Sequence, residues 1–220
     1  MKDLRRLVLT TLTITPSGAL SPGPLSASAA AVGALLGPWG GFLVALGHMA
    51  VELPYVAALH RFTGLLKGVI GRLKIPMNIV IIMFLWFFSY LLFKDAIAVL
   101  RGESSSPGGP IISGPLEAFA VGAALTGFNV YFLAWWLTVG YPIIEESSKL
   151  GLKGFAAMYI SHVWMDYAWL IMLAVGGGAT RVLGVLPYAI LLAALATILA
   201  VFALKIAFDT AKQVIPGRAP

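Results

Sequence analysis

The chain has 220 residues, of which 60% are hydrophobic and only 11% charged, with a mean hydropathy of +0.93. A soluble domain carries about a quarter charged residues, so this chain lacks the charge to cover an aqueous surface, and lipid must be its main solvent. Its formal charge of +6 does not point to nucleic acid, because the basic residues fall between apolar runs rather than along one stripe. The absence of cysteine excludes disulfides, thiolate metal sites and thiol relays.

Six apolar segments follow, at about 7–36, 40–59, 76–100, 115–140, 153–175 and 182–208, each near the roughly 20 residues that cross a bilayer. Lys2, Arg5 and Arg6 before the first run, with Ala27-Ser28-Ala29 beyond it, resemble a secretory signal. The run 7–14 is short, however, and Thr15-Pro16-Ser17-Gly18 interrupts it, so the segment is expected to stay in the mature protein.

The first segment is too long for one straight helix and contains Pro16, Pro22, Gly23 and Pro24, so it is expected to break near its middle. Ser21-Pro22-Gly23-Pro24 reads as an N-cap followed by proline at the first helical position. A half-helix starting there presents free N–H groups and its positive end deep in the membrane, where an anionic group binds. Ser21, Pro22 and Gly23 are therefore candidate substrate-binding residues; the plainer reading is a proline kink that only shapes packing. Gly33, Gly37 and Gly41 give small-residue spacing suited to close helix contact.

The second segment carries His48 and Glu52, and the fifth carries His162 and Asp166. Residues four apart share a helix face, and counting at 1.5 Å per residue puts all four near the middle of a roughly 30 Å core. Ionisable groups there cost about 2.5–3.5 kcal/mol each even on lenient insertion scales, so they should face the bundle or a wet cavity. Each histidine can simply bond its own carboxylate and hold helices together. The repeated placement favours a working role instead, with His48, Glu52, His162 and Asp166 as candidates for ion or proton coupling. Two histidines and two carboxylates also suit a divalent ion if the pairs meet in space. His60, beside Arg61 at a helix end, reads as interfacial.

Between the second and third segments, residues 61–74 are basic with interspersed Phe62, Leu65, Leu66, Val69 and Ile70, a pattern for a short amphipathic helix at the inner leaflet or a solvated loop. Residues 102–114 (GESSSPGGPIISG) read as a flexible external linker. They divide the chain into 1–101 and 115–220, three segments each, and an odd number per half inverts the second half relative to the first.

In the fourth segment, Ala124-Leu125-Thr126 matches Ala19-Leu20-Ser21 of the first. Thr126 and Asn129 are candidate substrate contacts, and Trp135-Trp136 read as interfacial anchors. With the N-terminus inside, Lys2, Arg5, Arg6, Arg61, Lys67, Arg72, Lys74, Lys149, Lys153, Lys205, Lys212 and Arg218 are cytoplasmic, leaving Lys94, Arg101 and Arg181 outside. That asymmetry follows the positive-inside rule. The expected architecture is an all-α integral membrane protein of six transmembrane helices in two inverted three-helix repeats, the first helix broken at Pro-Gly-Pro, with both termini cytoplasmic.

Ser21-Pro22-Gly23-Pro24, the Gly33 and Gly37 spacing, and the stretch from Asn129 to Trp136 together resemble the lysine-exporter (LysE-type) family, which includes the homoserine/threonine exporters. The similarity runs over essentially the whole chain. It implies a six-helix exporter of amino acids or related small solutes in the plasma membrane of a prokaryotic cell, driven by the proton gradient. Relatives in the wider superfamily move divalent metals; others work by paired cysteines, which this chain lacks. The family usually has Asn-Pro where this chain has Asn129-Val130. Valine does not break a helix, so the fourth segment is expected to be less discontinuous than the first.

The leading functional reading is a non-enzymatic, proton-coupled antiporter working by alternating access, with a small-molecule substrate, the lipid bilayer around it, no nucleic-acid partner and no cofactor. A divalent-metal exporter using the His/carboxylate tetrad is the second reading. An intramembrane hydrolase is the third, and it lacks an evident nucleophile motif. The small-residue faces permit a homodimer.

Overall fold

No water is available inside lipid to satisfy backbone N–H and C=O groups, so an apolar run must close its own hydrogen bonds as a helix. The computed structural model describes residues 2–20, 23–102 and 114–214, and every element in them is helical. In chain order these are α1 (Lys2–Ile14), α2 (Pro16–Ala19), α3 (Pro24–Leu36), α4 (Pro38–Arg61), α5 (Thr63–Leu100), α6 (Pro115–Gly127), α7 (Val130–Leu137), α8 (Tyr141–Lys149), α9 (Gly151–Leu183) and α10 (Val185–Val214).

Four helices contain stretches long and apolar enough to cross a membrane: Pro38–Arg61, Ile75–Leu100, Gly151–Ala179 and Leu186–Lys212. Two further pairs qualify if each counts as one bent span: Lys2–Ala19 with Pro24–Leu36, bent by 74°, and Pro115–Gly127 with Val130–Leu137, bent by 56°. The protein is thus a multi-pass membrane protein. Its outward faces are correspondingly apolar, with Met83, Phe87 and Tyr90 of α5 and Ile190, Val201 and Phe208 of α10 exposed.

Several sequence expectations shift. The fourth segment breaks without a proline: α6 ends at Gly127, and Asn129 adopts an extended backbone (φ −81°, ψ 97°). Its side-chain oxygen accepts from Phe132 N at 3.1 Å, which caps α7. In the first segment the inner half-helix begins two residues later than expected, with Gly23 at the N-cap and Pro24 opening α3. Ser21 and Pro22 lie outside the described residues. The basic stretch expected as a separate surface helix or loop continues into α5, which is unbroken from Thr63 to Leu100. The connection α8 was not anticipated; it buries Ile143, Ile144 and Ser147 against the bundle. The expected linker falls mostly on residues 103–113, also outside the described set.

Packing crosses between the two ends of the chain. The helix α3 lies most closely on α9, and α4 on α6. Both crossings bring backbones together through glycine, which is how membrane helices gain contact without a hydrophobic driving force. A Cβ on Gly33 would overlap the Ala174 backbone, and one on Gly177 the Ala30 carbonyl. At the other crossing, Gly47 meets Phe119 and Gly122 meets Val44 in the same way. Between the bundle members α3 and α4, Gly37 turns the chain at φ 62°, a left-handed position that glycine tolerates. On the outside, α5 and α10 pair along their length and are tied by Ser89 Oγ donating to the Ala196 carbonyl at 2.9 Å and Asn78 Nδ2 to Thr210 Oγ1 at 2.9 Å.

Candidate functional site

The α4–α9 contact places His48, Glu52, His162 and Asp166 together, all buried. His48 Nε2 lies 3.5 Å from Glu52 Oε1, and His162 Nε2 lies 3.4 Å from the same oxygen and 3.3 Å from Asp166 Oδ2. The two pairs, 110 or more residues apart in sequence, are one cluster. One donor atom each from His48, Glu52 and Asp166 fits within 4.8 Å of the others, close enough to share a metal ion.

Two threonines orient the rings. Thr126 Oγ1 is 2.7 Å from the Gly122 carbonyl and 2.8 Å from His48 Nδ1. Thr15 Oγ1 is 2.8 Å from the Thr11 carbonyl and 3.0 Å from His162 Nδ1. A hydroxyl has one proton, and two oxygens this close need it between them, so each threonine donates to its carbonyl and accepts from the histidine. Both Nδ1 atoms therefore carry hydrogen, and both Nε2 atoms face the carboxylates. A second proton on either ring sits at Nε2, beside Glu52 or Asp166.

The carboxylates differ in their partners. Trp136 Nε1 donates to Glu52 Oε1 at 3.0 Å, and the Tyr159 hydroxyl to Oε2 at 3.3 Å. Asp166 Oδ2, by contrast, is buried and has no hydrogen-bond partner. Neither Trp136 nor Trp135 is an interfacial anchor as their sequence position suggested. Both are buried, Trp136 rests against the His162 ring at 4.6 Å, and Trp135 Nε1 donates to Ser17 Oγ at 3.1 Å. Sequence reasoning did not single out Thr15 or Tyr159.

The cluster lines a cavity of about 60 Å³, smaller than the roughly 300–1,000 Å³ of pockets that enclose a drug-sized ligand. Gly23 and Pro24 at the start of α3 line it too, as do Thr126, Asn129, Phe132 and Leu85. The Gly23 N-cap has no side chain to bond the first turn of α3, and the positive end of that helix borders the cavity. Asn129 instead spends its amide oxygen on α7. Among the described residues, no lysine or arginine lines the cavity.

A family model described as LysE type translocator matches residues 16–210. No curated protein matches the chain, and no solved structure does.

Proposed function

Since the chain belongs to the LysE type translocator family, we propose that this small-solute membrane transporter exports amino acids or related solutes by proton-coupled alternating access. The convergence of both His/acid pairs on one point of one cavity carries this reading. Ionisable groups within membrane spans are costly, pair with one another and mark working sites, and here they bridge the helices α4 and α9.

In this scheme the solute carboxylate meets the N–H groups at the start of α3, near Ser21, Pro22 and Gly23. Its ammonium, or an exchanging proton, meets Asp166, whose Oδ2 has no other hydrogen bond. Thr126 and Asn129 shape the facing wall. A proton arriving at Nε2 of His48 or His162 changes the attraction across the α4–α9 contact, which lets the two sides separate and close in turn. The architecture that suits this is six spans in two inverted halves, 1–101 and 115–220, joined by 102–114. Both termini are cytoplasmic and the host membrane is a prokaryotic plasma membrane.

Efflux from proteoliposomes across an amino-acid panel, with and without an imposed pH gradient, tests the reading. Export of at least one amino acid, accelerated by the gradient, is expected. A solute exported without stimulation removes the coupling; no exported amino acid removes the substrate class.

A further inference from the structure

We propose that the His48–Glu52–His162–Asp166 cluster is also a binding site for a divalent transition cation of the zinc type, which clamps α4 to α9 when bound. The donor set is two imidazole nitrogens and two carboxylate oxygens, a combination that suits zinc rather than magnesium or calcium. A tetrahedral site with metal–ligand bonds of 2.0–2.1 Å has ligand–ligand edges of about 3.3–3.4 Å. The observed separations from His162 Nε2 to Asp166 Oδ2 and to Glu52 Oε1, and from His48 Nε2 to Glu52 Oε1, are 3.3, 3.4 and 3.5 Å. Three of the six donor–donor edges already stand near that spacing, and donors of His48, Glu52 and Asp166 lie within 4.8 Å of one another.

Orientation and charge point the same way. Metal-binding histidines usually donate their second ring N–H to a neighbouring acceptor, which fixes the ring and aims the other nitrogen at the ion. Thr126 and Thr15 play that part for His48 and His162. Asp166 Oδ2 is an independent sign: the residue is 6% exposed, and this oxygen has no hydrogen bond, a state that buried acceptors rarely keep. Two carboxylates face the site, and among the described residues no lysine or arginine lines it, so a divalent cation can balance them in place of protons on the two imidazoles.

The inference rests on the transport reading only for its consequence, that a clamped α4–α9 contact stops export. Binding is read directly on protein purified in detergent, by calorimetric titration with zinc and by X-ray absorption at the zinc edge. One zinc per chain with imidazole and oxygen ligands is expected, with magnesium not competing. Affinity should fall at least 100-fold in Asp166→Asn and in His162→Ala and about tenfold in the milder Thr15→Val, and stay unchanged in His60→Ala. Thermal unfolding of each variant shows whether it is folded, and Thr15→Val keeps the test open if the others are not. No saturable zinc binding to the folded wild type, or equal affinity in folded Asp166→Asn, overturns the site. In proteoliposomes zinc should block solute efflux over the concentration range in which it binds. Undiminished efflux at saturation, or passage of zinc itself, overturns the clamp. Zinc binding without any solute export removes only the transport reading, and export without zinc binding removes only this one.

Discussion

Glu52 and Asp166 hold corresponding places, each four residues after a histidine whose Nδ1 bonds a threonine from the other end of the chain. Their surroundings diverge. Glu52 takes hydrogen bonds from Trp136 and Tyr159 and has both imidazoles beside it, whereas Asp166 Oδ2 has His162 nearby and no hydrogen bond. One carboxylate is tied into the bundle by donors from α7 and α9; the other is held in place with coordination to spare. The contrast separates a group that holds the structure together from one that remains available to a solute, a proton or an ion.

The sharpest test of that contrast replaces each acid by its amide. Glu52→Gln sets an amide nitrogen against existing donors and strands two imidazoles, so it should cost about 3–5 kcal/mol of stability and abolish export. Asp166→Asn should unfold within about 1 kcal/mol of wild type while losing gradient-driven export. Thermal unfolding in micelles beside efflux assays reads both, and equal destabilisation by the two changes breaks the distinction.

The crossings come next. Gly122→Ala and Gly177→Ala each drive a methyl group into a facing backbone and should each cost about 2–3 kcal/mol. Gly176→Ala, beside Gly177 but facing open space, should cost nothing measurable in the same unfolding assay. Damage at one crossing only would mean that the two are not equivalent.

Thr15→Val and Thr126→Val each leave a buried Nδ1–H without an acceptor, for a loss of about 2 kcal/mol. Matching losses in unfolding and in efflux are expected, and a large difference assigns the site mainly to one end of the chain. A smaller effect belongs to Asn129→Ala, which removes the α7 cap for about 1 kcal/mol. Gly23→Ala has open space around a Cβ and should lose less than about 1 kcal/mol, from the preference for glycine over alanine at an N-cap.

Much of this was legible in the sequence, because apolar length, helical spacing and proline placement are local properties. The spans, the His48–Glu52 and His162–Asp166 faces and the break in the first span follow from residues within a few turns of each other. The fourth span bends by 56° against 74° in the first, less discontinuous as expected from Val130, yet it does break, because the capping oxygen of Asn129 starts a new helix without a proline. The partners of the cluster were hidden for another reason. Thr15 meets His162 across 147 residues, Trp136 meets Glu52 across 84, and Tyr159 meets Glu52 across 107. Such pairings depend on how α3 and α6 cross the bundle, which no local pattern encodes.

Those crossings also set an order of events during synthesis. When α3 is synthesised, the helix that receives Gly33 and Ala30 has not yet been made, and it follows α6 in the chain. Until then the glycine face of α3 has only lipid or unrelated helices beside it. The contact of α3 with α9, and with it the His162–Asp166 side of the site, can therefore form only after the fifth span has been made.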